Sequence, residues 1–239
     1  MKWFRKTVPC DGFDVEIVRS RRRTTVGITV REGRASVAVP QFAPYSQVAK
    51  LIQHKQYWIQ EKLQEQRAHL KAARREYVSG ERFAYLGRNY RLTVLKGKAH
   101  RASASLVQGR LVVSLPANAE NPQVVVQAAL IAWYKVRAEH RLGARTHHYA
   151  ELLGVVPRAV RVRDFKSRWG SCHNSGEIKY NWRIIMAPAP VVDYLVVHEL
   201  CHLHHPDHSR RFWQSVERQL SDYRQRRSWL KDHGWTLVV

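Results

Sequence analysis

The sequence predicts an α+β fold: a β-rich N-terminal part with one long helix, followed by a part built around an H-E-x-x-H helix. Three observations carry this expectation. Short alternating runs closed by glycine turns recur through the first half of the chain. Longer stretches repeat their apolar residues at helical spacing. His198, Glu199 and His202 follow an apolar run that starts beside Pro190, where a helix does not need the missing N–H. With 239 residues, the chain is long enough for one large domain or two small ones, with a real core.

Residues 13–18, 25–30 and 35–40 read as strands, the last following a turn at Gly33. Arg19, Arg21, Arg22 and Arg23 crowd the first connection; they suit phosphate binding and a solvated hairpin tip equally. Ser46 is placed to cap a long helix with Val48, Leu51, Ile52, Trp58, Ile59 and Leu63 mostly on one face. Basic residues continue through Lys71, Arg74 and Arg75, and the helix is expected to end before Gly80. Strands at 82–85 and 89–95 flank Leu86-Gly87-Arg88; strands at 102–107 and 110–115 flank Gln108-Gly109, a hairpin signal.

Two prolines among polar residues at 116–122 mark the expected boundary, dividing the chain into regions 1–118 and 119–239. A helix over 123–153 is apolar early, at Val126, Leu130, Trp133 and Tyr134. It becomes His-rich later, with His140, His147 and His148 expected at the surface. A short strand is expected at 160–162. Residues 177–185 alternate as a strand, either a plain core strand or an edge that an extended peptide joins. Ser209 opens another helix with Phe212, Trp213, Val216 and Leu220 inward, and the tail from Arg224 is expected to dock through Trp229, Leu230 and Trp235. No internal repeat is visible.

Composition sets limits. No apolar run approaches the length of a membrane span, and the N-terminus has no apolar stretch typical of a secretory signal. Three cysteines, Cys10, Cys172 and Cys201, form no disulfide-framework spacing. A cytoplasmic location is the expectation. The net charge of +22 favours polyanions, including non-specific nucleic acid, without naming a substrate.

The stretch 191–213 carries the most chemistry. On a helix, His198 and His202 share a face and can point at one metal ion. Pro206 ends the helix near His204, so a short turn can bring His208 back toward them. Three ligands with one open position is the arrangement of a catalytic zinc site, and Glu199 is placed to accept a proton from bound water. The competing reading is a chance H-E-x-x-H on a solvated face of a chain with 13 histidines. The spacing of His208 and the apolar run before His198 oppose it. His204 and His205 read as loop residues. Cys201 points away from the ligand face and reads as a small buried hydrophobe.

Further residues carry a family resemblance. K-S-R-W-G-S-C at 166–172, then Gly176, Ile178 and Asn181, then V-V-H-E-L-C-H-L and H-S-x-x-F-W within 196–213, resemble the YgjP-like metallopeptidase family, a relative of SprT-like proteins among the zincins. The Arg-rich first hairpin, Lys55–Ile59 as K-x-x-W-I, and the Y-L-G-R turn at 85–88 extend the resemblance over about residues 13–236. It implies a zincin-like catalytic part within one unit, with one zinc held by His198, His202 and His208 and catalysis by Glu199. His205 stands where metzincins need glycine, so that group is not assigned. The family is also described as UTP pyrophosphatases.

The leading expectation is therefore a zinc-dependent metallohydrolase acting on peptide bonds, with Glu199 as general base. Arg168 is the candidate for stabilising negative charge, and Trp169 and Asn181 for shaping the substrate cleft; packing and turn formation are the alternative roles for these two. A nucleoside triphosphate pyrophosphatase is the second reading, with Arg168 and Lys166 holding phosphates. The third is a nucleic-acid-associated protein with a zinc-stabilised fold, which gives Glu199 nothing to do. The partner is a polypeptide or a nucleotide, with no membrane; the sequence leaves the oligomeric state open.

Overall fold

Two-residue turns shape much of the β structure. Leu86-Gly87 and Gln108-Gly109 both hold positive φ at each position, 48° and 77° in the first and 47° and 72° in the second. That is the twist a two-residue hairpin needs, and glycine accepts it without strain. The computed structural model describes residues 6–31, 33–72, 75–97 and 99–239. Arg74, part of the basic run expected at the end of the long helix, lies outside them.

The chain divides into two compact units, Met1–Arg74 and Arg75–Val239. In the first, β1 (Lys6–Cys10), β2 (Phe13–Ser20), β3 (Gly27–Arg31) and β4 (Arg34–Pro40) form a sheet ordered β1-β2-β4-β3. Alternation buries Val15 and Ile17 of β2 and Val37 and Val39 of β4 on one face. Two helices, α1 (Tyr45–His54) and α2 (Gln56–Ala72), add Val48, Ile52, Ile59 and Leu63 to that core. The single long helix expected here is interrupted at Lys55, whose φ of −99° and ψ of 6° leave the helical range. Its entry is Pro44, already extended at φ −61° and ψ 133°, so Ser46 sits inside the first turn. Trp58, expected inward, is 41% exposed.

In the second unit β5 (Arg82–Tyr85), β6 (Arg88–Lys96), β7 (Ser103–Val107) and β8 (Arg110–Leu115) form a sheet ordered β5-β6-β8-β7. This is the topology of the first sheet again, with antiparallel outer pairs and a parallel inner pair in both. The fold thus repeats where the sequence shows no repeat. A half-buried strand asks only for an apolar residue at every second position, so pattern survives without identity. The expected boundary at 118/119 falls inside this unit. Phe83, Leu92, Leu111 and Val113 share one core with Leu130 and Tyr134 of α3 (Pro122–Leu153), so residues 116–122 only connect a strand to a helix of the same body.

The third sheet positions the site. It contains β9 (Ala159–Arg163), β10 (Gly170–Cys172) and β11 (Glu177–Asn181), ordered β10-β11-β9. The strand expected over 177–185 was a candidate peptide-binding edge. It is instead central, antiparallel to β10 and parallel to β9, so both its edges are occupied. It also stops at Asn181, whose side-chain oxygen accepts from Arg183 N at 3.2 Å and opens a 3-10 turn over Trp182–Met186. Trp182, Ile184, Ile185 and Met186 are all buried, a pattern no alternating strand produces.

That turn leads into α4 (Ala189–Cys201), a core helix with Val191, Val192, Leu195, Val196, Val197 and Leu200 buried. The β5–β6 hairpin tip fixes its start. Leu86 N donates to Ile185 O at 2.8 Å and Gly87 N to Met186 O at 3.3 Å. A Cβ on Gly87 would stand 2.8 Å from Pro188 Cα, so only glycine fits there. Arg145 of α3 clamps α4 through Asp193, Nε to Oδ1 at 2.7 Å and a second guanidinium nitrogen to Oδ2 at 3.0 Å. The helix ends at Cys201, a turn earlier than the sequence suggests; His204 N and His205 N both return to Cys201 O. Then follow α5 (Arg210–Gln219) and α6 (Tyr223–His233). Among the described residues no helix is long and apolar enough to cross a membrane.

Candidate active site

His198 and Glu199 lie in the last turn of α4, His202 follows at its C-terminal cap, and His208 lies in the loop before α5. One ring nitrogen from each of the three histidines lies within 4.8 Å of the other two. The Nε2 atoms of His198 and His208 face each other at 3.2 Å. Two nitrogens on a tetrahedral zinc, each bonded at about 2.0–2.1 Å, stand about 3.3 Å apart. The donor set therefore fits such an ion. His202 Nδ1 lies 3.1 Å from His205 O, a contact that fixes the ring and leaves Nε2 free to ligate. His205 thus contributes through its backbone.

Burial holds the His198 imidazole down at about 3, helped by the neighbouring His202 and His208. Burial also lowers His202, opposed by its hydrogen bond to His205. Both rings are neutral at pH 7, the form that binds metal. Phe212, fully buried on α5, is the floor of the cluster. Its ring centroid lies 5.0 Å from His198, 4.5 Å from His202 and 4.9 Å from His208. Trp213 stacks on His208 at 5.7 Å and on Tyr223 at 5.4 Å, joining the loop ligand to α6. The sequence places both aromatics inward without revealing that they support the ligands.

Glu199 is 4% exposed, and burial pushes its carboxyl up to about 8 against the pull of Arg168. Its carboxyl group rests on Gly170 of β10. Glu199, the three histidines, Arg168 and Cys172 line one cleft of about 830 Å³. His204 lines it too, with Nε2 3.4 Å from Leu153 O. Cys172 is half-buried, its thiol raised by burial and then by Glu199. Cys201 is buried, its thiol pushed up to about 12, as expected of an inert packing residue.

Trp169 and Asn181 are not among the residues lining that cleft. Asn181 is buried, and its amide donates to Phe165 O at 2.9 Å and Arg168 O at 3.2 Å. It holds the loop that presents Arg168. Trp169 packs on Gly234, where a Cβ would come within 2.9 Å of its ring. These two act from behind the cleft wall, because both side chains are drawn into the fold.

The family model for the YgjP-like metallopeptidase domain matches residues 24–233. The metallopeptidase zymogen of Pyrococcus abyssi abylysin, a crystal structure, shares 23% identity over 38% of this chain and 93% of its own, with a TM-score of 0.35. That structural likeness is too slight to carry an argument. No curated protein matches the chain. The match over nearly its whole length shows that the chain belongs to the YgjP-like metallopeptidase family.

Proposed function

We propose that the protein is a zinc-dependent peptidase whose second unit is zincin-like, with His198, His202 and His208 as metal ligands and Glu199 as general base. One observation carries the reading: three imidazoles converge on one point beside a buried glutamate that shares their cleft. Zinc, when bound, lowers the pKa of water toward neutrality and polarises a carbonyl. Glu199 takes the proton from the attacking water and passes it to the leaving amine. Arg168, exposed on the same cleft, stabilises the negative charge that develops as water adds.

Strand β10 supports a peptide substrate. Among the described residues it is an edge strand, paired only with β11, and its residues line the cleft. An extended chain can pair with such an edge and lie across Glu199. The nucleotide reading has less to draw on. Arg168 lines the cleft, but Lys166, its expected partner in holding phosphates, does not.

The test is to give the zinc-loaded protein an unfolded polypeptide and a set of nucleoside triphosphates in parallel. Peptide cleavage without pyrophosphate release is expected. Pyrophosphate release alone would move the assignment to nucleotide chemistry.

A further inference from the structure

A second cavity, of about 510 Å³, adjoins the cleft. The two share Gly154, Val155 and Val156 as lining residues. The second continues over the C-terminal half of α3 to Pro157 and Val160 and is largely apolar, with Ala150 on its helical wall. Its polar lining includes Thr146, buried and bonded to Tyr180 at 3.1 Å, and the exposed pair His147 and Glu151 at 3.2 Å. Val156, common to both cavities, is 90% exposed, which leaves a bare aliphatic side chain at their junction.

Gly143 lies well inside α3, a helix of 32 residues, and lines this cavity. Glycine is a poor residue for a helix interior. The fold does not require it here: its φ is not left-handed, and a Cβ built on it meets nothing within 4 Å. What its missing side chain leaves is open space above the helix, which is the cavity itself.

We infer that this cavity is a specificity pocket, which takes an apolar side chain of a polypeptide whose backbone lies in the adjoining cleft, and that Gly143 keeps it open. This rests on the peptidase reading and extends it to a substrate preference. Continuity through Gly154–Val156 lets one substrate chain reach both cavities, and the pocket's lining favours leucine or phenylalanine over charged side chains. The open space over Gly143 makes residue size part of the selection.

The test is a set of internally quenched peptides varied at the positions flanking the cleavage site, given to the zinc-loaded wild type, Glu199→Gln, Gly143→Leu and Val156→Glu. The wild type is expected to prefer phenylalanine or leucine at one position. Gly143→Leu should lower the ratio of kcat/KM for that peptide to its glycine counterpart by about tenfold or more. Val156→Glu, at an exposed site where folding is not at stake, should lower the same ratio. Glu199-dependent cleavage with the ratio unmoved in both variants would overturn the pocket and leave the peptidase. Absence of Glu199-dependent cleavage across the set would overturn both.

Discussion

Gly170 lies so close under Glu199 that a Cβ on it would stand 2.8 Å from both Cγ and Cδ of the glutamate. The edge strand of the third sheet thereby sets where the carboxylate can be. Gly170→Ala is predicted to displace Glu199 while leaving the three imidazoles in place. Zinc content should match the wild type, and kcat should fall by at least about tenfold, or about 1.4 kcal/mol in the barrier. Metal analysis beside steady-state kinetics checks this; loss of zinc would show that the glycine supports the ligands instead.

Phe212 touches all three histidines. Phe212→Ala should destabilise the fold by about 3–5 kcal/mol, the usual cost of emptying a buried aromatic site. It should also weaken zinc binding, because the floor that holds the rings is gone. Denaturant midpoints and competition with a zinc chelator measure the two effects separately. Wild-type zinc affinity in a destabilised variant would mean that the loop and helix alone fix the ligands.

Asn181 donates to Phe165 O and Arg168 O and accepts from Arg183 N. Asn181→Asp replaces the donor by an acceptor facing two carbonyls. The predicted outcome is a loss of about 1–3 kcal/mol in stability from the carbonyls left unpaired. A changed KM at unchanged melting temperature would instead return Asn181 to direct substrate contact.

Metal should stabilise the chain. Zinc that binds only the folded state, at a free concentration a hundredfold above Kd, adds about 2.7 kcal/mol. The melting temperature is expected to rise on zinc addition and to return on chelation. His208→Ala should abolish most of that rise. His204→Ala should keep it, since His204 is outside the converging set. An equal loss in both variants would point to a different ligand set.

Much of the site was legible because its chemistry is local. His198, Glu199 and His202 sit within about one helical turn, and His208 follows after a short loop that contains Pro206. Alternating runs and glycine turns likewise revealed the strands from β2 to β8 and the hairpin at Gln108-Gly109. What was hidden depends on contacts between distant segments. Gly170 under Glu199, Gly87 against Pro188 and Asn181 behind Arg168 each join residues that no periodicity relates. Residues 182–185 resemble a continued strand because Arg183 falls between Trp182 and Ile184 and mimics alternation, although they form a buried 3-10 turn. Trp58 was misplaced because helical spacing gives a face but not how far around it burial extends.

The most direct measurement is turnover of an unfolded polypeptide by wild type and Glu199→Gln, each carrying measured zinc. One zinc per chain is expected in both, with a variant that binds substrate but cleaves at least about a thousandfold more slowly, or about 4 kcal/mol in the barrier, as loss of a general base implies. Cleavage by the variant at the wild-type rate, with zinc in place, would contradict it.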